Sequence, residues 1–172
     1  MKIFGVAGWK NSGKTGLMER LVAEICARGI TVSTIKHAHH AFDVDQPGKD
    51  SHRHRVAGAR EVLLASGKRW ALMHELRDVA EPPLADLIAH LSPVDLVLIE
   101  GYKRADHPKI EAHRAETGKP LLAYDDPHVI AIASDEALPD AMVPVLDLDD
   151  TAAIADLVLA HCGLPEAAGT GQ

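Results

Sequence analysis

Apolar residues along the chain come in two alternating rhythms. Ile3, Phe4, Val6 and Ala7 form a short run of the kind that makes a buried strand, and Leu17, Met18, Leu21, Val22 and Ile25 then recur on one helical face that Gly29 would close. Ile30 to Lys36 is rich in β-branched residues and reads as a second strand. A short helix is expected over residues 50–59, with Asp50 or Ser51 as its N-cap. Glu61 to Ser66 and Arg69 to Leu76, separated by Gly67-Lys68, predict an antiparallel hairpin at a sheet edge. Pro82 and Pro83 open a helix with Leu84, Leu87, Ile88 and Leu91 on one face. The most apolar run, Val94 to Ile99, is broken only by Asp95 and marks a central buried strand ending at Glu100 and Gly101. Further candidate segments are Lys109 to His113, Pro120 to Tyr124, a buried strand over Val129 to Ser134 and a weak strand over Val143 to Leu146. An acidic cap at Asp149 and Asp150 then starts a helix through Ile154, Leu157, Val158 and His161.

Strands alternating with amphipathic helices predict an α/β domain in three layers: a mainly parallel sheet, helices on both faces and an antiparallel edge hairpin. Residues 1–162 read as one domain, and residues 163–172, rich in Gly, Ala and Pro, as a disordered tail.

Between the first strand and helix stands Gly8-Trp9-Lys10-Asn11-Ser12-Gly13-Lys14-Thr15, a full match to the phosphate-binding pattern G-x-x-x-x-G-K-[ST]. Gly8 and Gly13 let backbone N–H groups turn inward around an anion at the positive end of the helix. Lys14 would reach the terminal phosphates of a nucleotide, and the Thr15 hydroxyl would ligate Mg²⁺. A phosphate-loop protein also needs a carboxylate near that ion, and Glu100, at the end of the central strand, is the candidate. Asp95, at that strand's start, lies at the wrong end of the sheet.

Composition narrows the partners. A formal net charge of −7 argues against wholesale nucleic-acid binding, and only 3% aromatic residues removes the stacking platforms of single-strand binders. The two cysteines, Cys26 and Cys162, have no paired spacing and read as reduced thiols. No apolar stretch approaches the roughly 18 residues of a membrane span, so a cytoplasmic, soluble protein is expected.

Other groups admit two readings each. His37, His39 and His40, among eleven histidines, suit either a transition metal or an anionic ligand and solvent. Lys103 and Arg104 follow Gly101 as either phosphate ligands or surface charges. Asp135 stands where nucleotide-binding proteins place the acid that accepts from guanine, but no N-K-x-D pattern accompanies it.

Taken in series, Gly8 to Thr15, Ile35-Lys36-His37-Ala38-His39-His40, Asp45 to Ser51, Arg69 to Met73, Leu98 to Lys103 and Val129 to Asp135 resemble the molybdopterin-guanine dinucleotide biosynthesis adaptor family, MobB, over residues 3 to 160. The resemblance implies a weakly hydrolysing GTP-binding protein with GTP and Mg²⁺ as cofactors. It would be a homodimer, and its partner would be the guanylyltransferase of the MobA type that joins GMP to molybdopterin, with the pterin itself a further candidate ligand. By position, Gly8, Trp9, Lys10, Asn11, Ser12, Gly13, Lys14, Thr15 and Gly16 would hold the nucleotide, Thr15 and Glu100 the metal, and Lys14 and Glu100 the chemistry. His37, His39, Lys49, Asp50, Gly101, Lys103 and Asp135 would complete the site. Gly16 departs from the family, which often has Thr there. A small-molecule kinase with Arg53, Arg55 and Arg60 as lid residues and a GTP-gated metallochaperone using His37 to His40 are the rival readings.

Overall fold

The computed structural model describes residues 1–38 and 42–165, which fall into two compact units, residues 1–37 with 88 onward, and residues 38–87.

The first unit is built on a six-stranded sheet in the order β2-β5-β1-β6-β7-β8. Its strands are β1 (Lys2–Ala7), β2 (Val32–Lys36), β5 (Leu96–Glu100), β6 (Lys109–His113), β7 (Val129–Ser134) and β8 (Val145–Asp147). Every pairing between them is parallel. Helices α1 (Lys14–Ala27) and α4 (Thr151–Cys162) pack on the same face. There Leu17, Leu21 and Ile25 of α1 and Ile154, Val158 and Leu159 of α4 meet Phe4, Val6, Leu96, Leu98, Ile110 and Ala112 of the sheet. Alternation along the strands sends these residues to one side and their neighbours to the other. β5 is buried at every residue, as its unbroken apolar run requires.

The opposite face differs along β6. Lys109, Glu111 and His113 point there and are buried, covered by the segment after β5 and by a 3₁₀ turn at Leu122–Tyr124 in place of a long helix. The Glu111 carboxylate accepts from Leu122 N (2.9 Å) and Ala123 N (3.0 Å). Desolvation raises its pKa, opposed by those two amides.

Caps follow the expected chemistry at α4, where the Asp150 carboxylate accepts from Ala153 N at 3.0 Å and Gly163 closes the helix in the left-handed region. Asp95 accepts from Thr31 N (2.8 Å) and its hydroxyl (2.5 Å), tying together the starts of β2 and β5 at the opposite end of the sheet from their carboxyl ends.

The second unit carries α2 (Asp50–Val56), β3 (Glu61–Ala65) and β4 (Trp70–His74). The hairpin forms at the expected place, but β3 and β4 pair only with each other among the described residues, as a separate two-stranded sheet and not as the edge of the main one. The N-cap of α2 is Lys49, without a side-chain cap bond, and not Asp50 or Ser51; Asp50 instead supplies negative charge to the first turn. Arg55 gathers Asp43 (2.7 Å), Asp45 (2.8 Å) and Glu75 (3.3 Å). Helix α3 (Leu84–Ala89) contains the division between the units. The tail expected to be disordered lies, from residue 166 on, outside the described residues.

Candidate functional site

Parallel register puts the carboxyl ends of β1, β2 and β5 level, with Val6 and Lys36 both opposite Glu100. The loop after β1 therefore emerges beside the loops after β2 and β5, the position where open α/β sheets place ligands.

The loop has the backbone its residue types allow. Gly8 has φ +147°, and a Cβ there would lie 2.5 Å from both Ala112 O and Ser12 Oγ. Gly13 has φ +90° at the N-cap of α1, and Asn11, at +67°, uses the tolerance of a short amide side chain for the left-handed region. The N-cap Gly13 offers no side-chain cap and the helix's own first turn holds no acid, so the loop N–H groups at the positive end of α1 remain open to an anion. Ser12 Oγ is buried and has no hydrogen-bond partner among the described residues. Such an atom fits a phosphate oxygen.

Lys14 donates to the Trp9 carbonyl across the loop. Its pKa is lowered, first by desolvation and then by Lys103 and Lys36, against Glu100, which raises it. An anion in the loop would offset all three depressing effects. The Thr15 hydroxyl donates to Glu100 Oε1 at 2.9 Å, and Lys36 Nζ stands 3.4 Å from the same oxygen. These are hard oxygen donors brought together by β1 and β5, the set that Mg²⁺ takes beside a nucleotide. Gly16 is exposed, and a Cβ there would meet nothing closer than Arg20 Nη1 at 3.6 Å, so the space admits a larger residue.

Around this core the other expected residues distribute unevenly. Gly101 (φ +95°) and Tyr102 (φ +46°) turn the chain sharply after Glu100. A Cβ on Gly101 would lie 3.1 Å from His37 Cβ. His37 lies one residue past β2 rather than on it; its amide bonds Glu100 O at 2.9 Å and its ring stacks on Tyr102, centroids 4.5 Å apart. Lys103 Nζ lies over the Trp9 ring, 4.2 Å from its centroid, and the indole N–H donates to Pro120 O at 2.7 Å. A cleft of about 460 Å³ opens beside the loop, lined by Trp9, Lys10, Asn11, Glu116, Thr117 and Lys119. Asp135 follows β7, and its Oδ1 accepts from Ala115 N at 2.9 Å, holding the turn after β6. Lys49 and Asp50 belong to the second unit, at the start of α2. His39 and His40 lie outside the described residues.

Two groups escaped the sequence reading as site residues. Lys36 ends β2 in register with Glu100, and a basic residue closing a β-branched run was the available signal. Lys109 and its carboxylate partner Asp126, 2.7 Å apart, left only the alternation Lys109-Ile110-Glu111-Ala112-His113 as a trace.

A glycine-built anion loop on a parallel strand, with an acid ending the neighbouring strand opposite its threonine, places the chain in the P-loop class of α/β proteins. Comparison with known proteins narrows the class. The family profile described as "Molybdopterin guanine dinucleotide synthesis protein B" (MobB) matches residues 3–135. The chain is 43% identical over 160 residues to the molybdopterin-guanine dinucleotide biosynthesis adapter protein of Escherichia coli strain K12, covering 91% of each. It is 42% identical over 159 residues to that of Haemophilus influenzae, covering 91% of this chain and 86% of the relative. The crystal structure of Bacillus subtilis MobB superposes with a TM-score of 0.73 at 27% identity, covering 94% of this chain and 98% of that one. The chain belongs to the MobB family.

Proposed function

We propose that the chain binds GTP with Mg²⁺ at residues 8–16 and acts as an adaptor in the conversion of molybdopterin to molybdopterin guanine dinucleotide. In this reading it works in the cytoplasm beside a MobA-type guanylyltransferase. The observation that carries the nucleotide reading is the convergence of Lys14, Thr15 and Glu100 around the open positive end of α1. The adaptor reading rests on the shared name of the bacterial relatives. The cleft beside Trp9 and Asn11 has the volume for a nucleoside. No described helix is long and apolar enough to cross a membrane.

The chain's own groups then divide the work. Loop N–H groups and Lys14 hold the terminal phosphates, and Thr15 with Glu100 hold the ion, which would neutralise phosphate charge. Lys36 and Lys103 add positive charge at the rim. No group in the described site is placed as a dedicated base on an attacking water, which supports slow hydrolysis and a holding role. His37, Gly101 and Asp135 remain assigned to the same site, Asp135 through the turn it supports. Dimerisation through the hairpin is part of the proposal: Leu63, Trp70 and Leu72 are exposed on one face of β3 and β4, an apolar surface suited to a second copy.

The test is capture of a purified guanylyltransferase by the full chain with and without GTP, followed by assay of dinucleotide formation. GTP-dependent capture lost in Lys14→Ala is expected. Capture and assembly indifferent to both would remove the adaptor reading, and equal affinity for ATP and GTP would remove the guanine assignment. A monomeric mass by light scattering at micromolar concentration would remove the dimer.

A further inference from the structure

Lys109 is wholly buried on the face of β6 away from α1 and α4. Its ammonium donates to Asp126 Oδ2 at 2.7 Å, Ala105 O at 2.8 Å and Lys103 O at 3.3 Å, so all three of its protons have acceptors. The other Asp126 oxygen accepts from His128 N at 2.9 Å and pairs with His128 Nδ1 at 3.0 Å. Two of the lysine's three acceptors are thus main-chain carbonyls of the segment that leaves Glu100 and passes the phosphate loop.

The end of that segment is held as well. Pro108 O accepts from Gly5 N at 2.9 Å, and Lys109 N donates to His128 O at 2.9 Å. The His107 ring is buried with neither nitrogen bonded among the described residues, and lies where a Cβ on Gly5 would come within 2.4 Å of it. Burial first, and then the Lys109 charge, push His107 down to about 4, so it is neutral where the lysine is charged. A buried ammonium is costly, and an apolar residue of similar size would fill the site at lower cost. What the lysine supplies, and a methionine would not, is a fixed backbone at Lys103 and Ala105. The Lys103 ammonium in turn lies over Trp9 of the phosphate loop.

We infer that Lys109 and Asp126 form a positioning latch: they fix the segment after Glu100 and so hold Lys103 against the phosphate loop, where it meets the nucleotide's phosphates. The last clause rests on the nucleotide reading above; the latch itself does not.

The experiment separates the two. In the full chain carrying Trp70→Phe, which leaves Trp9 as the single indole, Lys103→Met, Lys109→Met, the double variant and Asp126→Asn are compared by Trp9 emission without ligand and by Mg²⁺-GTP affinity in calorimetry. Lys109→Met and Asp126→Asn are expected to change Trp9 emission in the same direction as Lys103→Met. Lys109→Met is expected to weaken Mg²⁺-GTP binding about tenfold, and the double variant to bind no more weakly than Lys103→Met alone. A folded Lys109→Met protein with parental emission and affinity would overturn the latch, as would losses that multiply in the double variant. If Lys109→Met does not fold, Asp126→Asn combined with Lys103→Met completes the same cycle. A parent that binds no GTP, but in which the emission changes coincide, would sink the nucleotide reading and leave the latch standing.

Discussion

The two faces of the main sheet are built to different rules. Against α1 and α4 the face is hydrocarbon, Phe4, Val6, Leu98, Ile110 and Ala112 closing on Leu17, Leu21 and Val158. On the other side β6 buries Lys109, Glu111 and His113, with hydrogen-bond or ion-pair partners drawn from nearby loops and turns. Non-directional burial stabilises the first face wherever shapes fit, whereas hydrogen bonds on the second fix particular loop atoms. Helix α1 bridges the contrast, since Lys14 and Thr15 serve the site and Leu17 and Leu21 serve the core within two turns.

That contrast is open to direct tests. Leu21→Ala should cost about 2–5 kcal/mol of stability, read from urea unfolding, while the remaining folded protein keeps its GTP affinity. Affinity lost in proportion to stability would erase the distinction between the faces. Lys14→Ala should do the reverse, weakening GTP binding by about 1.5–3 kcal/mol, on the order of 10- to 100-fold, with little change in unfolding midpoint.

Two pH effects sharpen the polar side. Because Lys14 is depressed in the free protein and would be raised by phosphate, the complex binds more protons, so GTP affinity should fall as pH rises toward the ordinary lysine value of about 10.4. Lys14→Arg should flatten that slope in calorimetric titrations. For His107 the unfolded chain takes up its proton near the ordinary histidine value of 6.5 and the folded chain only at about 4, so between these values the unfolded state binds more protons. Stability should therefore decline as pH falls through that window, and His107→Met should show a shallower decline in urea midpoints. The smallest effect concerns Gly16. With open space around it in a helical turn, Gly16→Ala should stabilise by about 0.5–1 kcal/mol without loss of binding.

Much of this was legible in the chain. The octet from Gly8 to Thr15 specifies its own geometry, since glycine at Gly8 and Gly13 and the helix that follows are local requirements. The apolar run to Glu100 located the acid that meets Thr15, because a strand covered on both faces by hydrocarbon reads as a continuous apolar segment. The hairpin's existence was readable from its turn, but its separation from the main sheet was not: strand pairing partners are chosen by long-range packing, which a local pattern does not encode. Lys36 became a neighbour of Glu100 only through the register of β2 on β5.

The sequence by itself determined the phosphate loop, the order of strands and helices, and the acid at the end of the most apolar strand, because each depends on residue type and short-range periodicity. Only the tertiary structure decided that Thr15 meets Glu100, that Asp135 holds the turn at Ala115, and that the lysine of an ordinary alternating strand lies buried beneath the loop carrying Lys103. Those are contacts between residues far apart in the chain, or between side chains and backbone brought together by a sheet register, and no local pattern specifies them.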